Sequence, residues 1–84
     1  MANVILAHWK LDRLIREKIE AVAVGIAYIV RPAGQIIWDD ECQDLGRTAW
    51  IVEFFGDLAR KRLSALNAAT APLQAQFDLG ITAD

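Results

Sequence analysis

The segment from Val22 to Trp38 constrains the fold most, because its large and small apolar residues alternate with a period of two. That alternation is typical of β-strands, and turn-forming residues from Pro32 to Gly34 interrupt it. Proline fixes φ for the first corner of a type I turn, and glycine takes the left-handed position that follows it. The pattern therefore predicts a β-hairpin with strands at about 22–30 and 35–38.

Both faces of the predicted hairpin are apolar. Bulky side chains such as Tyr28 and Trp38 lie on one face, while the other face carries the small residues Ala23, Gly25 and Ala27. A hairpin is marginal alone, so helices or a second copy of the chain must cover it.

An amphipathic helix is predicted from Leu11 to Ala21, where apolar residues recur at helical spacing and charged residues occupy the other side. Asp12 and Arg16 form a favourable i,i+4 pair on that helix. The first ten residues remain open between two structures. Asn3 caps an earlier helix start, or Val4 to Ala7 forms a short extended arm.

A long helix is predicted at about 40–69. Asp40 and Gln43 match a capping box, and apolar residues follow at spacings of three and four as far as Leu66. Small residues at Ala49, Gly56 and Ala59 would let a partner approach this seam. A short terminal helix is expected from Ala71 to Leu79, with Thr70 as its cap, Pro72 in its first turn and Gly80 at its end.

These elements predict an α+β fold in a single domain spanning residues 1–84. The order is an N-terminal helix, a hairpin, a long helix and a short terminal helix. With 55% hydrophobic residues, the chain has more apolar surface than two helices and one hairpin can bury. We therefore expect a homodimer, formed by edge pairing of hairpins or by antiparallel packing of the long helices.

No catalytic, cofactor or metal site is predicted, and we expect no cofactor. The acidic residues Asp39, Asp40, Glu41 and Asp44 are explained as helix caps, and no second acidic motif at ligand spacing accompanies them. His8 and Cys42 are the chain's sole histidine and thiol, and their spacing does not predict a nucleophile and base pair. Phosphate-binding glycine loops do not occur in the sequence.

The predicted function is that of a small non-enzymatic accessory protein that acts on an unknown protein partner through protein–protein contacts. Trp9, flanked by polar residues near the N-terminus, is the expected exposed anchor. One alternative is a small-ligand sensor with a pocket between the hairpin and the long helix. Its lining would be Tyr28, Trp38, Trp50 and Phe54.

A second alternative is a DNA-associated regulator that uses the basic residues 60–62. The net charge of −2 and the shortness of this triplet make nucleic acid the less favoured partner. The longest apolar run, residues 21–30, is half the length of a membrane-spanning helix, so no membrane segment is expected. A lone cysteine and the absence of a signal-peptide pattern predict a cytoplasmic protein, of a size typical of accessory genes on mobile elements.

Overall fold

A computed structural model of the chain describes residues 3–82. These residues form a four-stranded mixed sheet and two helices, which confirms the α+β class. In chain order the elements are β1 (Val4–Leu6), α1 (His8–Val22), β2 (Ala27–Trp38), β3 (Leu45–Phe55), α2 (Arg60–Gln76) and β4 (Phe77–Thr82). The strand order is β1-β4-β3-β2. β1 runs parallel to β4, while the β4–β3 and β3–β2 pairs are antiparallel.

The predicted amphipathic helix is present as α1. Its apolar stripe, Leu11, Ile15 and Ile19, is fully buried. On its outer side Arg16 pairs with Asp12 at 3.4 Å. Residues before α1 adopt the extended alternative, because β1 pairs with β4 and the Asn3 amide donates a hydrogen bond to a β4 carboxylate instead of capping a helix.

The predicted tight turn at Pro32–Gly34 is wrong, and so are the predicted hairpin strands at 22–30 and 35–38. Val22 is the last residue of α1, and β2 begins only at Ala27 and runs through the expected turn to Trp38 as one strand. Its register against β3 shifts between Ala33 and Ile37. Gly34 has the positive φ expected of it, +81°, but in a bulge. The Thr48 hydroxyl donates to the carbonyl oxygen of Ala33 (3.0 Å) and so supports the bulge. An edge strand tolerates proline, and β2 is an edge strand.

The predicted long helix at 40–69 is wrong for most of its length, because residues 45–55 form β3, while residues 60–69 are helical as the first part of α2. The apolar residues of the segment 45–55 fit the spacings of three and four that indicate a helix, but they also fit the period of two that indicates a strand. Its β-branched and aromatic residues favour the strand. The expected capping box is instead part of the hairpin loop at 39–44, where the Asp39 carboxylate accepts the backbone N–H groups of Glu41 and Cys42. Gly56, at φ +106°, lies directly after the end of β3.

At the C-terminal end, the predicted helix from 71 to 79 is replaced by the end of α2 and by β4. Thr70 is no cap: its hydroxyl lies within α2 and donates to carbonyl oxygens of the preceding turn. Pro72 sits inside α2 despite the N–H that it lacks. Leu66 and Leu73 are buried on either side of it, and this burial holds the helix together across the proline.

Both helices pack on one face of the sheet. The core cluster combines buried residues of α1 and α2 with Val30, Trp50 and Leu79 from three strands. Trp50 is 3% exposed, and its indole N–H donates to the carbonyl oxygen of Phe77 at 3.0 Å. The fold therefore has two layers, and the helices cover one face of the sheet. Within residues 3–82, neither helix combines the length and the apolar character that a membrane crossing requires.

The bulge gives the first testable prediction. Replacing Gly34 by valine should lower the free energy of unfolding by about 1–2 kcal/mol, because valine at positive φ is strained. A β-carbon at this position meets no other atom within 4 Å, so the cost arises in the backbone and not from a clash. Urea unfolding measures the difference. Gln35→Val, on the next residue, is the matched control and should change stability little. Equal stabilities of the two variants would contradict the bulge.

Candidate functional site

The face of the sheet opposite the helices is bare, and we call it the open face. Residues paired across strands share a face, so the register assigns Ile29, Ile51 and Phe55 to it, while Trp50 and Val30 point to the helices. The large apolar side chains of the open face are each between 41% and 61% exposed: Ile5, Ile29, Ile37, Leu45, Ile51 and Phe55. Among the described residues, twelve large apolar side chains are exposed and eight are buried, so much of the apolar surface lacks a covering layer.

Two ion pairs lie on the open face. Arg31 and Glu53 approach to 3.5 Å, and Arg47 and Asp78 to 4.0 Å. Each pair joins neighbouring strands, β2 to β3 and β3 to β4. Because the pairs carry two positive and two negative charges, the open face combines apolar character with electrical neutrality.

A groove of about 740 Å³ lies at the end of the sheet where β2 ends and β3 begins. One wall is formed by the β1–α1 junction with His8, and the other by the segment from Ile37 to Asp40. The first residues of β3 and the last of β4 form its floor. Ile37, Leu45 and Arg47 belong both to the groove and to the open face, so the two features are continuous.

The four residues predicted to line a ligand pocket are not brought together. Trp38 lines the groove, but Trp50 is in the core. Tyr28 pairs with Phe54 towards the far end of the β2–β3 hairpin, whereas Trp38 pairs with Gly46. The Tyr28 hydroxyl donates to the Asp12 carboxylate at 2.9 Å, and desolvation by burial raises the pKa of Tyr28 above its usual value.

The residues predicted to form an interaction seam are also separated. Ala49 lies near the middle of the open face on β3, whereas Gly56 and Ala59 lie in the connection between β3 and α2. Trp9 projects from α1 and is 65% exposed, with the Lys10 ammonium 6.0 Å from its ring centre.

The remaining chemistry-bearing residues are dispersed. His8 lines the groove, and Cys42 is exposed in the loop between β2 and β3. Arg60 begins α2, and the whole basic triplet 60–62 is exposed in its first turn. Across residues 3–82, no three His, Cys, Asp or Glu side chains come close enough together to hold a metal ion.

Sequence reasoning missed the residues that define the open face, above all Arg47, Ile51 and Glu53. A signal for them was available: in 45–55 these residues alternate with Thr48, Trp50 and other bulky side chains. In a helix these residues would point in different directions around the helix axis, whereas in a strand they share one face.

A scan against protein-family models and searches of curated proteins and of solved structures found no match to this chain.

The loop beside the groove gives a pH-dependent prediction. Hydrogen bonds from the backbone N–H groups of Cys42 and Glu41 hold the pKa of Asp39 below its usual value. A carboxyl whose pKa is lowered by folding stabilises the protein above the unfolded pKa of about 4, and this contribution is lost as the pH falls through the folded pKa. Asp39→Asn should therefore lose less stability than the parent protein between about pH 5 and pH 2.

Urea unfolding across that pH range measures the effect. Asp40→Asn is the matched control, because it removes the same charge from the same loop and leaves both hydrogen bonds in place. The same pH dependence in the parent and in Asp39→Asn would contradict the role given to Asp39.

Proposed function

We propose that this protein is a small non-enzymatic interaction protein that forms a homodimer and acts through protein–protein contacts. The bare apolar face of the sheet carries this proposal. Exposed apolar patches of more than a few hundred Å² are rare on monomers and mark sites of association. The arginines of the open face already have partners within the chain, since Arg31 is paired with Glu53 and Arg47 with Asp78.

A second contact surface is available on the helix layer. Trp9 is on α1, and α1 packs on the sheet face opposite the open face, so a dimer built on the open face leaves this side chain free to meet another protein. Tryptophan combines a large apolar area with an N–H donor and is enriched among residues that dominate binding energy. The proposal therefore assigns self-association to the sheet and a protein partner to the helix layer.

The homodimer is tested directly in solution. Light scattering at micromolar concentration should give about twice the chain mass of 9.3 kDa, and the thermal midpoint should rise with protein concentration by mass action. Trp9→Ala, which removes an exposed tryptophan from the helix layer, is the control and should remain dimeric. A monomeric mass with a concentration-independent midpoint would overturn the homodimer.

The groove favours a second candidate function, the binding of a small apolar ligand. Its volume of about 740 Å³ is within the range of ligand pockets, roughly 300–1,000 Å³. Trp38 and Ile37 supply apolar lining, and His8 and Arg47 supply polar groups that could orient a ligand.

An environment-sensitive fluorescent probe, anilinonaphthalene sulfonate, distinguishes this candidate from a pure interaction protein. If the groove is a ligand site, the probe should bind, and Trp38→Ala should weaken its binding by at least about tenfold, because the largest apolar wall is lost. Trp9→Ala, at an exposed tryptophan outside the groove, should bind as the parent does. If both variants lose probe binding equally, or if neither loses it, the groove is not the site.

A further inference from the structure

We infer that a second copy of this chain covers the open face, with the two β3 strands antiparallel across the interface and Arg47 of each copy facing Glu53 of the other. The inference rests on the proposed homodimer and identifies its interface. It follows from the order of side chains along β3.

The side chains that β3 presents on the open face form a self-complementary series. These side chains form three pairs, each with one member on either side of the strand midpoint at the same distance from it. From the centre outwards the pairs are Ala49 and Ile51, Arg47 and Glu53, and Leu45 and Phe55. In an antiparallel second copy, the small side chain of Ala49 therefore faces the large side chain of Ile51 at the centre. Arg47 faces Glu53 farther out, and the apolar side chains of Leu45 and Phe55 face each other at both ends. A two-fold axis repeats each of these contacts twice.

β2 shows the same relation. Ile37 pairs with Arg47, and Ile29 pairs with Glu53, in the register of the sheet. An antiparallel copy thus places Ile37 opposite Ile29 beside each Arg47–Glu53 contact. By contrast, a parallel arrangement centred on β3 would place Arg47 opposite Arg47 and Glu53 opposite Glu53, and such like-charge contacts are unfavourable.

The geometry of stacked sheets accommodates the charge contacts. Arg47 and Glu53 are each three residues from the midpoint, or about 10 Å. Stacked sheets cross at about 30°, which displaces the two groups by about 5 Å, and the sheets lie about 10 Å apart. Long arginine and glutamate side chains span that separation.

The contacts also join the ion pairs within each copy. The Asp78–Arg47 pair of one copy would contact the Glu53–Arg31 pair of the other, so that four side chains of alternating charge lie in a row. Each charge that the interface buries then has a partner on at least one side, which offsets its desolvation.

The edges of the sheet are less suited to self-association than its open face. β2 forms one edge, and Pro32 together with the bulge at Gly34 interrupts its backbone hydrogen-bonding groups. β1 forms part of the other edge and has three residues. Beyond Thr48 that side of the sheet ends at β3, where the Gln74 amide already donates to the carbonyl oxygen of Trp50. The neutral charge of the open face favours a second copy over a polyanion such as DNA.

The two strands that the axis superposes, β2 and β3, supply the contact area. β3 is about 36 Å long, and with β2 it forms a ribbon about 10 Å wide, so the projected area shared by the two copies is about 360 Å² per copy. Side chains make the accessible area larger, but it stays at the small end of specific interfaces, where association is weak and reversible.

Exchange of the charges tests the interface. Arg47→Glu alone places two carboxylates at each contact, and Glu53→Arg alone places two arginines there, so each variant should dimerise at least about tenfold more weakly than the parent. An equimolar mixture of the two variants should form a heterodimer, because every contact between Arg47→Glu and Glu53→Arg again joins opposite charges. Analytical ultracentrifugation measures the dissociation constants, and an affinity tag on one variant identifies the heterodimer.

Matched controls separate the interface from net charge. Arg13→Glu and Glu17→Arg make the same changes on the exposed side of α1 and should dimerise as the parent does. Circular dichroism verifies that each variant is folded. If a charge variant does not fold, Ala49→Arg, which puts two unpaired cations at the centre of the interface, replaces it and should yield a monomer.

The outcomes distinguish this inference from the proposed function. A monomeric parent protein overturns the homodimer itself. A dimeric parent whose Arg47→Glu and Glu53→Arg variants dimerise normally, or fail to form the heterodimer when mixed, keeps the homodimer and overturns this interface.

Discussion

The burial of Trp50 is the contact on which the rest of the structure depends. Its indole ring lies in the core on β3, and its N–H donates to the first residue of β4. Its backbone carbonyl oxygen accepts a hydrogen bond from Gln74 of α2 at 3.2 Å. One residue thereby connects β3, β4 and α2. The core that it belongs to, which includes α1, lies on a single face of the sheet, so none of the described elements covers the opposite face.

That asymmetry explains why an 84-residue chain that is 55% hydrophobic leaves so many large side chains exposed. Two helices can cover one face of a four-stranded sheet, and no further described element is left for the other. A small domain also buries a limited share of its surface, which makes association an efficient source of stability. The two internal ion pairs leave the open face electrically neutral.

Parts of this architecture could be predicted from the sequence. The α+β class, α1 and the excess of exposed apolar surface follow from periodicity and composition. The role of residues 32–34 could not be predicted, since proline and glycine suit both a tight turn and a bulge in an edge strand. Of the predicted ligand pocket, Trp38 lies in the groove, but Tyr28 and Phe54 lie towards the far end of the hairpin.

The sequence by itself determined α1, because Leu11, Ile15 and Ile19 recur at a spacing that only a helix converts into one buried stripe. Only the tertiary structure decided between helix and strand for residues 45–55. That segment fits both periods, and its state depends on pairing with β2, as in Val30 opposite Val52, and on the burial of Trp50. Such contacts join residues far apart in the chain, and a local pattern does not specify the partner that a segment will meet.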